Sequence, residues 1–169
     1  LENGHDAVIA TLIYYLIGGP ALVIFHRFAN TLDAMWGYKN ARFKHFGYTS
    51  ARLDDLLGFI SGKCCSLLYA IQGLPQGLFQ RAILNAMQQG NNYKSHNGGW
   101  VMAAGATVLG ITLGGRALYH GEVSHAPTLG YGKATTLDDI PRSLSMVSCA
   151  SVILLVLVFT FQLVNYFLT

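Results

Sequence analysis

The densest group of residues that could do chemistry lies between residues 26 and 55, in the string HRFANTLDAMWGYKNARFKHFGYTSARLDD. Asn30, Asp33 and Gly37 fall at i, i+3 and i+7 there, which places them on one face of a predicted helix. Carboxylates bind Mg²⁺, and cationic side chains hold phosphate oxygens. One interpretation of the stretch is therefore a phosphate and metal site, in which its carboxylates bind Mg²⁺ and Lys39, Arg42 and Arg52 hold phosphate oxygens.

A structural alternative for the same stretch is an ion-paired pair of helices beside a membrane. Arg52 and Asp55 stand at i and i+3, a spacing at which an ion pair can form on a helix. Thr49 or Ser50 is predicted to cap the second helix. The residues alone leave both interpretations open.

A second candidate is the string Ser95-His96-Asn97-Gly98-Gly99-Trp100. Two glycines allow a backbone to approach a ligand closely, and Trp100 could stack on a flat one. The alternative is a turn followed by a tryptophan anchored at a membrane interface.

The glycine-rich region from residue 113 to 132 could also form a ligand-binding loop. It contains neither the phosphate-binding pattern G-x-x-x-x-G-K-[ST] nor G-x-G-x-x-G. We therefore predict a plain exposed loop over residues 113–132. The six histidines form no H-x-x-x-H pair, no Ser-His-Asp triad follows from sequence order, and the three cysteines show no zinc spacing.

The elements that must position these residues are those of a membrane protein. The 169 residues are 52% hydrophobic and only 11% charged, against about 25% charged in a typical soluble domain. Residues 146–169 hold no charge and are long enough to cross the roughly 30 Å hydrocarbon core as a helix. The composition predicts an all-α, polytopic integral membrane protein, with residues 1–169 as one membrane-embedded domain.

Three further segments are apolar. Residues 7–25 are interrupted by Gly18-Gly19-Pro20, which predicts a kinked span or re-entrant pair in preference to two shorter helices that meet at a bend. Residues 56–73 are a third candidate span, although Lys63 near their middle is costly in lipid. Residues 101–115 are short and rich in small residues, so we expect them to pack against protein.

The charge distribution indicates an orientation. The 11 Lys and Arg residues are scattered, which excludes a nucleic-acid-binding patch. The excess of basic residues in 26–55 places that stretch on the cytoplasmic side of the plasma membrane. If residues 56–73 cross the membrane once, 26–55 and 95–100 lie on opposite sides. A shared site therefore requires 56–73 to be re-entrant or interfacial.

Several of these strings together resemble the adenosylcobinamide-phosphate synthase family (CobD/CbiB). The resemblance is carried by Glu2-Asn3, Asp6, Asn30-Thr31-Leu32-Asp33, Gly37-Tyr38-Lys39, Arg42, Ala51-Arg52-Leu53-Asp54-Asp55, Asn97-Gly98-Gly99-Trp100 and Leu113-Gly114-Gly115. Departures from the family pattern include Thr11, Gly58, Ser61, Lys63, His96 and Val101. Family members are longer, so we expect either a missing N-terminal half or assembly from separate chains, including a homo-oligomer.

The resemblance implies a membrane-bound amide ligase of cobalamin biosynthesis. Such an enzyme joins a carboxylate of adenosylcobyric acid, a corrinoid, to aminopropanol or its phosphate, with ATP and Mg²⁺ as cofactors. The resemblance implies that Asp33, Asp54 and Asp55 are catalytic or metal-binding carboxylates. It also implies that Lys39, Arg42 and Arg52 bind phosphate. Asn97, Gly98 and Trp100 would meet the corrinoid or nucleotide. The alternatives are a non-catalytic membrane sensor or scaffold of the same fold, and a transporter whose site lies at the Gly18–Pro20 break.

Overall fold

In the computed structural model, residues 1–37, 46–119 and 122–168 are described. The chain begins with α1 (Glu2–Gly4), which continues through a π-helical turn (His5–Ile9) into α2 (Ala10–Trp36). The remaining helices are α3 (Phe46–Gln72), a 3₁₀ turn (Leu74–Gln76), α4 (Phe79–Gly90), α5 (His96–Leu109) and α6 (Asp139–Leu168). A small sheet contains β1 (Ile111–Tyr119), β2 (Glu122–Gly130) and β3 (Lys133–Ala134).

The predicted break in the first apolar segment is confirmed. Gly18 and Gly19 leave the helical conformation, at φ −144°, ψ 19° and φ 62°, ψ −158°, just before Pro20. The Gly19 conformation lies in a region of backbone space that is open essentially to glycine alone. Residues on either side of the break are helical.

The two limbs that meet at Gly18–Gly19 fold back on each other. The rings of Tyr14 and His26 stack with centroids 4.8 Å apart, and Arg27 Nη1 lies 3.3 Å from the carbonyl oxygen of Asp6. In a straight helix these pairs would be separated by about 18 Å and 31 Å along the axis. The segment is therefore a helical hairpin with an exposed apolar tip that includes Tyr15, Leu16, Ile17, Ile24 and Phe25.

The helical core is built around α5. Its small residues are almost fully buried from Val101 to Leu109, which allows α3 and α4 to approach closely. The positions of Gly58 and Gly62 beside Asn97, and of Gly73 beside Val108, show that α3 and α5 run parallel. In the sequence α4 connects α3 to α5 and runs in the opposite direction, and it presents Ala82, Ala86 and Gly90 to the core. The prediction that 101–115 packs against protein is confirmed for the helical part.

The glycine-rich region is not a plain loop, so that prediction is wrong. β1 pairs antiparallel with β2 and parallel with β3, in the order β2-β1-β3. The β1–β2 register shifts between Leu113 and Gly115, where Gly114 and Gly115 have φ of 79° and 84°. The Gln89 amide pairs with the backbone of Gly130 at 2.6 and 3.1 Å and so attaches the sheet to α4. The fold is therefore helical with a small sheet.

Of the described residues, two segments are helical, long and apolar enough to cross a membrane: Glu2–Trp36 and Asp139–Leu168. The first is the hairpin, so its length does not imply one crossing. The second begins seven residues before the predicted start at residue 146. Residues 56–73 are not among these segments, although the sequence made them a candidate span.

Candidate active site

Side chains from three distant parts of the sequence meet at one end of the helical core. Asn30 Nδ2 on α2 donates to Asp54 Oδ1 on α3 at 3.2 Å. Asn97 Nδ2 on α5 donates to the carbonyl oxygen of Asp55 at 3.0 Å. These bonds join the polar stretch 26–55 to the Asn97–Trp100 string. The two lie at the same end because α4 brings the chain back alongside α3, which is one continuous helix from Phe46 to Gln72.

Glycines on α3 make this meeting possible. A Cβ at Gly58 would lie 2.5 Å from Asn97 Nδ2, and one at Gly62 would lie 3.5 Å from Asn97 Cβ. Asn97 therefore occupies space that larger residues at Gly58 would fill. Gly58 departs from the family pattern, and its missing side chain leaves room for Asn97.

Asp54 is the most perturbed acid of this site. Burial raises its pKa to about 6, and the nearby charges of Asp33, Asp6 and Asp55 add to the increase, whereas the hydrogen bond from Asn30 opposes it. Burial and like charges both disfavour an ionised carboxylate. Such a cluster favours a bound cation, which would relieve the repulsion.

A metal ion bound at this site would need ligands besides the protein's own side chains. Among the described residues, no group of three His, Cys, Asp or Glu side chains is arranged to hold a metal ion. Mg²⁺ is usually held by one or two carboxylates together with substrate phosphates and waters. Asp54 and Asp55 could supply those carboxylates, and Asp55 is exposed on the surface.

Arg52 does not form the ion pair with Asp55 that the alternative interpretation requires. Its Nε donates to Tyr48 Oη at 3.2 Å, and its guanidinium carbon lies 5.3 Å from the centroid of that ring. Within the described ranges, the ion pairs join His5 to Asp6 and Arg142 to Asp139. Lys39 and Arg42, the other two predicted phosphate-binding residues, lie outside the described residues.

The predicted cap of α3 is wrong. The helix begins at Phe46, before both Thr49 and Ser50. The Ser50 hydroxyl donates to the carbonyl oxygen of Gly47 at 3.0 Å, inside the first turn.

Glu2 is a neighbour of the site whose contact the sequence did not predict. Its carboxylate lies where a Cβ of Gly98 would be, beside the first turn of α5. That turn is capped by Ser95, whose hydroxyl oxygen accepts from the Gly98 amide at 3.2 Å. A carboxylate near a helix N-terminus interacts favourably with the helix dipole. The space beside Gly98 is thus used by a protein side chain.

Trp100 carries a cation on its ring. Lys63 Nζ lies 2.6 Å from the ring centroid, and the indole Nε1 donates to Asn91 Oδ1 at 2.7 Å. The sequence marked Lys63 as a charge that is costly in lipid and as a departure from the family pattern. Nothing in its spacing from Trp100, 37 positions along the chain, indicated that they meet.

Distances also place Ser61, His5 and Asp6 in the order of a nucleophile, base and acid. His5 Nε2 lies 2.9 Å from Ser61 Oγ and His5 Nδ1 lies 2.7 Å from Asp6 Oδ1. However, Ser61 is completely buried, and the Nδ1 contact lacks the alignment of a hydrogen bond. The trio therefore fixes the hairpin to α3 rather than offering a nucleophile.

The fold and site together define a helical protein with long apolar helices that gathers acidic and amide side chains at one end of its core. The family model described as CobD/Cbib protein matches residues 1–147. The chain belongs to this CobD/CbiB family.

Relatives named cobalamin biosynthesis protein CobD agree with that assignment. The chain is 45% identical to the one from Stutzerimonas stutzeri over 94% of its own length and 52% of the relative. It is 43% identical to the one from Chromobacterium violaceum over 88% of the chain and 46% of the relative. The chain thus spans about half the length of the curated relatives it matches. No solved structure matches it significantly.

Proposed function

We propose that this chain carries the acidic site of a membrane-bound enzyme of cobalamin biosynthesis. The enzyme forms an amide between a carboxylate of adenosylcobyric acid and aminopropanol or aminopropanol phosphate, on the cytoplasmic face of the plasma membrane. The observation that carries this proposal is the joining of Asn30, Asp54, Asp55 and Asn97 at one place. The names of the relatives supply the pathway.

A carboxylate is a poor acyl donor, so ATP with Mg²⁺ would supply the phosphoryl group that activates it. Asp54 and Asp55 are the residues proposed to hold the metal ion. Asp33 stands close enough to raise the pKa of Asp54 and would orient the incoming amine.

The environment of Asp54 also suits proton transfer. With a pKa of about 6, its carboxylate is ionised at pH 7 and accepts a proton more readily than an ordinary aspartate. The Asn30 amide fixes its orientation. Where Asp55 alone holds the metal ion, Asp54 would take the proton that the amine loses as the new C–N bond forms.

The cationic and aromatic residues would bind phosphate and corrinoid. Arg52 is exposed and not engaged with a carboxylate among the described residues, so its remaining donors can reach phosphate oxygens. We assign the same role to Lys39 and Arg42. Asn97 and Trp100 would line the corrinoid or nucleotide side, whereas Glu2 already fills the space beside Gly98.

The test is turnover by membranes from cells that express the complete gene with Asp55→Asn. We expect the rate of cobinamide formation from adenosylcobyric acid, the amine and ATP to fall about a hundredfold or more, because a charge that acts in the transition state is lost. The matched control is Asp138→Asn, which removes an exposed acid before α6 and should leave the rate unchanged.

Near-normal turnover of Asp55→Asn at normal protein abundance would return the Asp54–Asp55 pair to a structural role. A sensor or scaffold predicts a different outcome. Such a protein would bind the corrinoid, and the wild type would form no amide under any combination of nucleotide and amine.

A further inference from the structure

Lys63 has surroundings that packing alone does not explain. Its Nζ lies 2.6 Å from the centroid of Trp100 and 5.4 Å from that of Phe59. Within the described parts of the chain, no carboxylate lies within ion-pair distance of it. Desolvation lowers its pKa to about 8, and no charged neighbour contributes to that decrease.

Moving an ammonium group out of water costs free energy. Hydrogen bonds from its N–H groups to oxygen acceptors offset most of that cost. An aromatic face attracts the charge but accepts poorly from its three N–H donors. Asp55, two turns away on α3, is not used as a partner. The site thus holds a partly dehydrated cation whose donors are free among the described residues.

The position of Lys63 relates it to the acidic site. Asp55, Phe59 and Lys63 stand at i, i+4 and i+8 on α3, along one stripe of the helix. Two turns separate Asp55 from Lys63 by about 12 Å along the axis. Trp100 lies one turn from Asn97, which bonds to Asp55. A ligand that reaches the acidic site can therefore extend along this stripe to Lys63.

We propose that Lys63 and Trp100 form an oxyanion subsite that binds a phosphate group of a substrate at the acidic site. The Trp100 ring holds the ammonium in place, and the phosphate oxygens accept hydrogen bonds from its N–H groups. The identity of the phosphate rests on the function proposed above, whereas the cation and its geometry do not. The two sources of that phosphate are the nucleotide and aminopropanol phosphate.

The structural alternative is that the aliphatic part of Lys63 only covers Trp100 while its charge stays near water. The two differ in what the charge does. A covering role is kept by Lys63→Met, which retains the apolar stem. A binding role is lost in Lys63→Met and Lys63→Gln and is kept in large part by Lys63→Arg, because a guanidinium also binds phosphate.

The experiment measures ligand affinity by calorimetry on the complete protein in lipid nanodiscs. The probes are ATP, adenosine, aminopropanol phosphate and aminopropanol, each added with Mg²⁺. The proteins are wild type, Lys63→Gln, Lys63→Met, Lys63→Arg and the control Lys133→Gln. Lys133 is exposed beside Gly110 at the other end of α5.

We expect Lys63→Gln and Lys63→Met to lower the affinity for one phosphorylated probe by about tenfold to a hundredfold, as for a lost charge-assisted hydrogen bond. The corresponding unphosphorylated probe should be unaffected, and Lys133→Gln should match the wild type. Loss for ATP identifies the nucleotide as the source, and loss for aminopropanol phosphate identifies the amine substrate. Wild-type affinity should also decrease above about pH 8, while that of Lys63→Arg should not.

Equal affinities of wild type and Lys63→Met for both phosphorylated probes would overturn the subsite. So would equal weakening of the phosphorylated and unphosphorylated probes. If Lys63→Gln fails to fold, Lys63→Arg against Lys63→Met decides the same question. A wild type that binds phosphate through Lys63 yet forms no amide would refute the proposed function and leave the subsite intact.

Discussion

At the scale of single residues, the acidic site is held in a state that costs stability. The folded chain raises the pKa of Asp54 to about 6 by burying it among other acids. An acid whose pKa is higher in the folded chain than in the unfolded chain destabilises the folded chain once it ionises. Perturbed acids of this kind concentrate at functional sites.

Asp54→Asn should therefore stabilise the protein while it abolishes activity. A shift of about two pKa units corresponds to about 3 kcal/mol, and solvent screening at this partly exposed carboxylate reduces the gain to about 1–2 kcal/mol. The gain should be full at pH 8, where Asp54 is ionised in both states. It should be smaller at pH 5, where the folded chain has already bound the proton.

The measurement is thermal unfolding in detergent at the two pH values. Asp138→Asn, at an exposed position, should change neither curve. A loss of stability in Asp54→Asn at pH 8 would show that the carboxylate is a structural acceptor rather than a strained functional acid.

At the scale of elements, the hairpin of α1 and α2 determines the path of the first apolar segment. Each limb has 16 or 17 residues and rises about 25 Å, less than the roughly 30 Å of hydrocarbon. The limbs return to the same end, where Arg27 contacts the Asp6 backbone. The structure thus makes a segment of spanning length and composition into a helical hairpin.

Cysteine labelling tests this topology. In a background without Cys64, Cys65 and Cys149, single cysteines at the exposed positions Asn3 and Thr31 should react with an impermeant thiol reagent from the same side. A cysteine at the exposed tip residue Ile17 should be shielded by lipid. Labelling of Asn3 and Thr31 from opposite sides would mean that the segment crosses the membrane.

The turn of the hairpin depends on one backbone conformation. Gly19→Ala should destabilise the protein by about 1–3 kcal/mol, because a Cβ disfavours φ 62°, ψ −158° even though open space surrounds Gly19. Gly77→Ala is the comparison, since Gly77 has ordinary left-handed angles of φ 69°, ψ 16° and should cost about 1–2 kcal/mol. Thermal unfolding of both variants should rank Gly19→Ala as the less stable, and the reverse order would contradict the assigned turn.

At the scale of the whole molecule, α6 divides into two parts with different partners. Its first half packs on the core through Met146 and Ala150, and Gln72 Nε2 donates to the Met146 carbonyl oxygen at 3.1 Å. Its second half exposes nearly every apolar side chain from Leu155 to Leu168. Such a surface requires lipid or other apolar helices around it.

The protein should therefore stay with the membrane during carbonate extraction. Val156→Lys together with Phe159→Lys places two charges in the exposed half and should release a large part of the protein, since each charge costs about 2.5–3.5 kcal/mol at the centre of a bilayer. Ser148→Lys, before that half on an exposed position, is the matched control. If the double variant is retained in the membrane as well as the wild type, the second half of α6 does not lie in lipid.

The sequence by itself determined the helical class, the break at Gly18–Gly19, the apolar C-terminal helix and the residue types of the acidic site. These features are local, because hydrophobic runs, glycine conformations and neighbouring charges act over a few residues. Only the tertiary structure decided that the first segment folds back, that residues 113–130 pair as strands, and that Lys63 reaches Trp100. Those outcomes depend on contacts between residues tens of positions apart, such as Asn30 with Asp54 and Asp55 with Asn97. No periodicity encodes such contacts, because they follow from how α4 returns the chain beside α3 and from the small residues that let α5 lie between them.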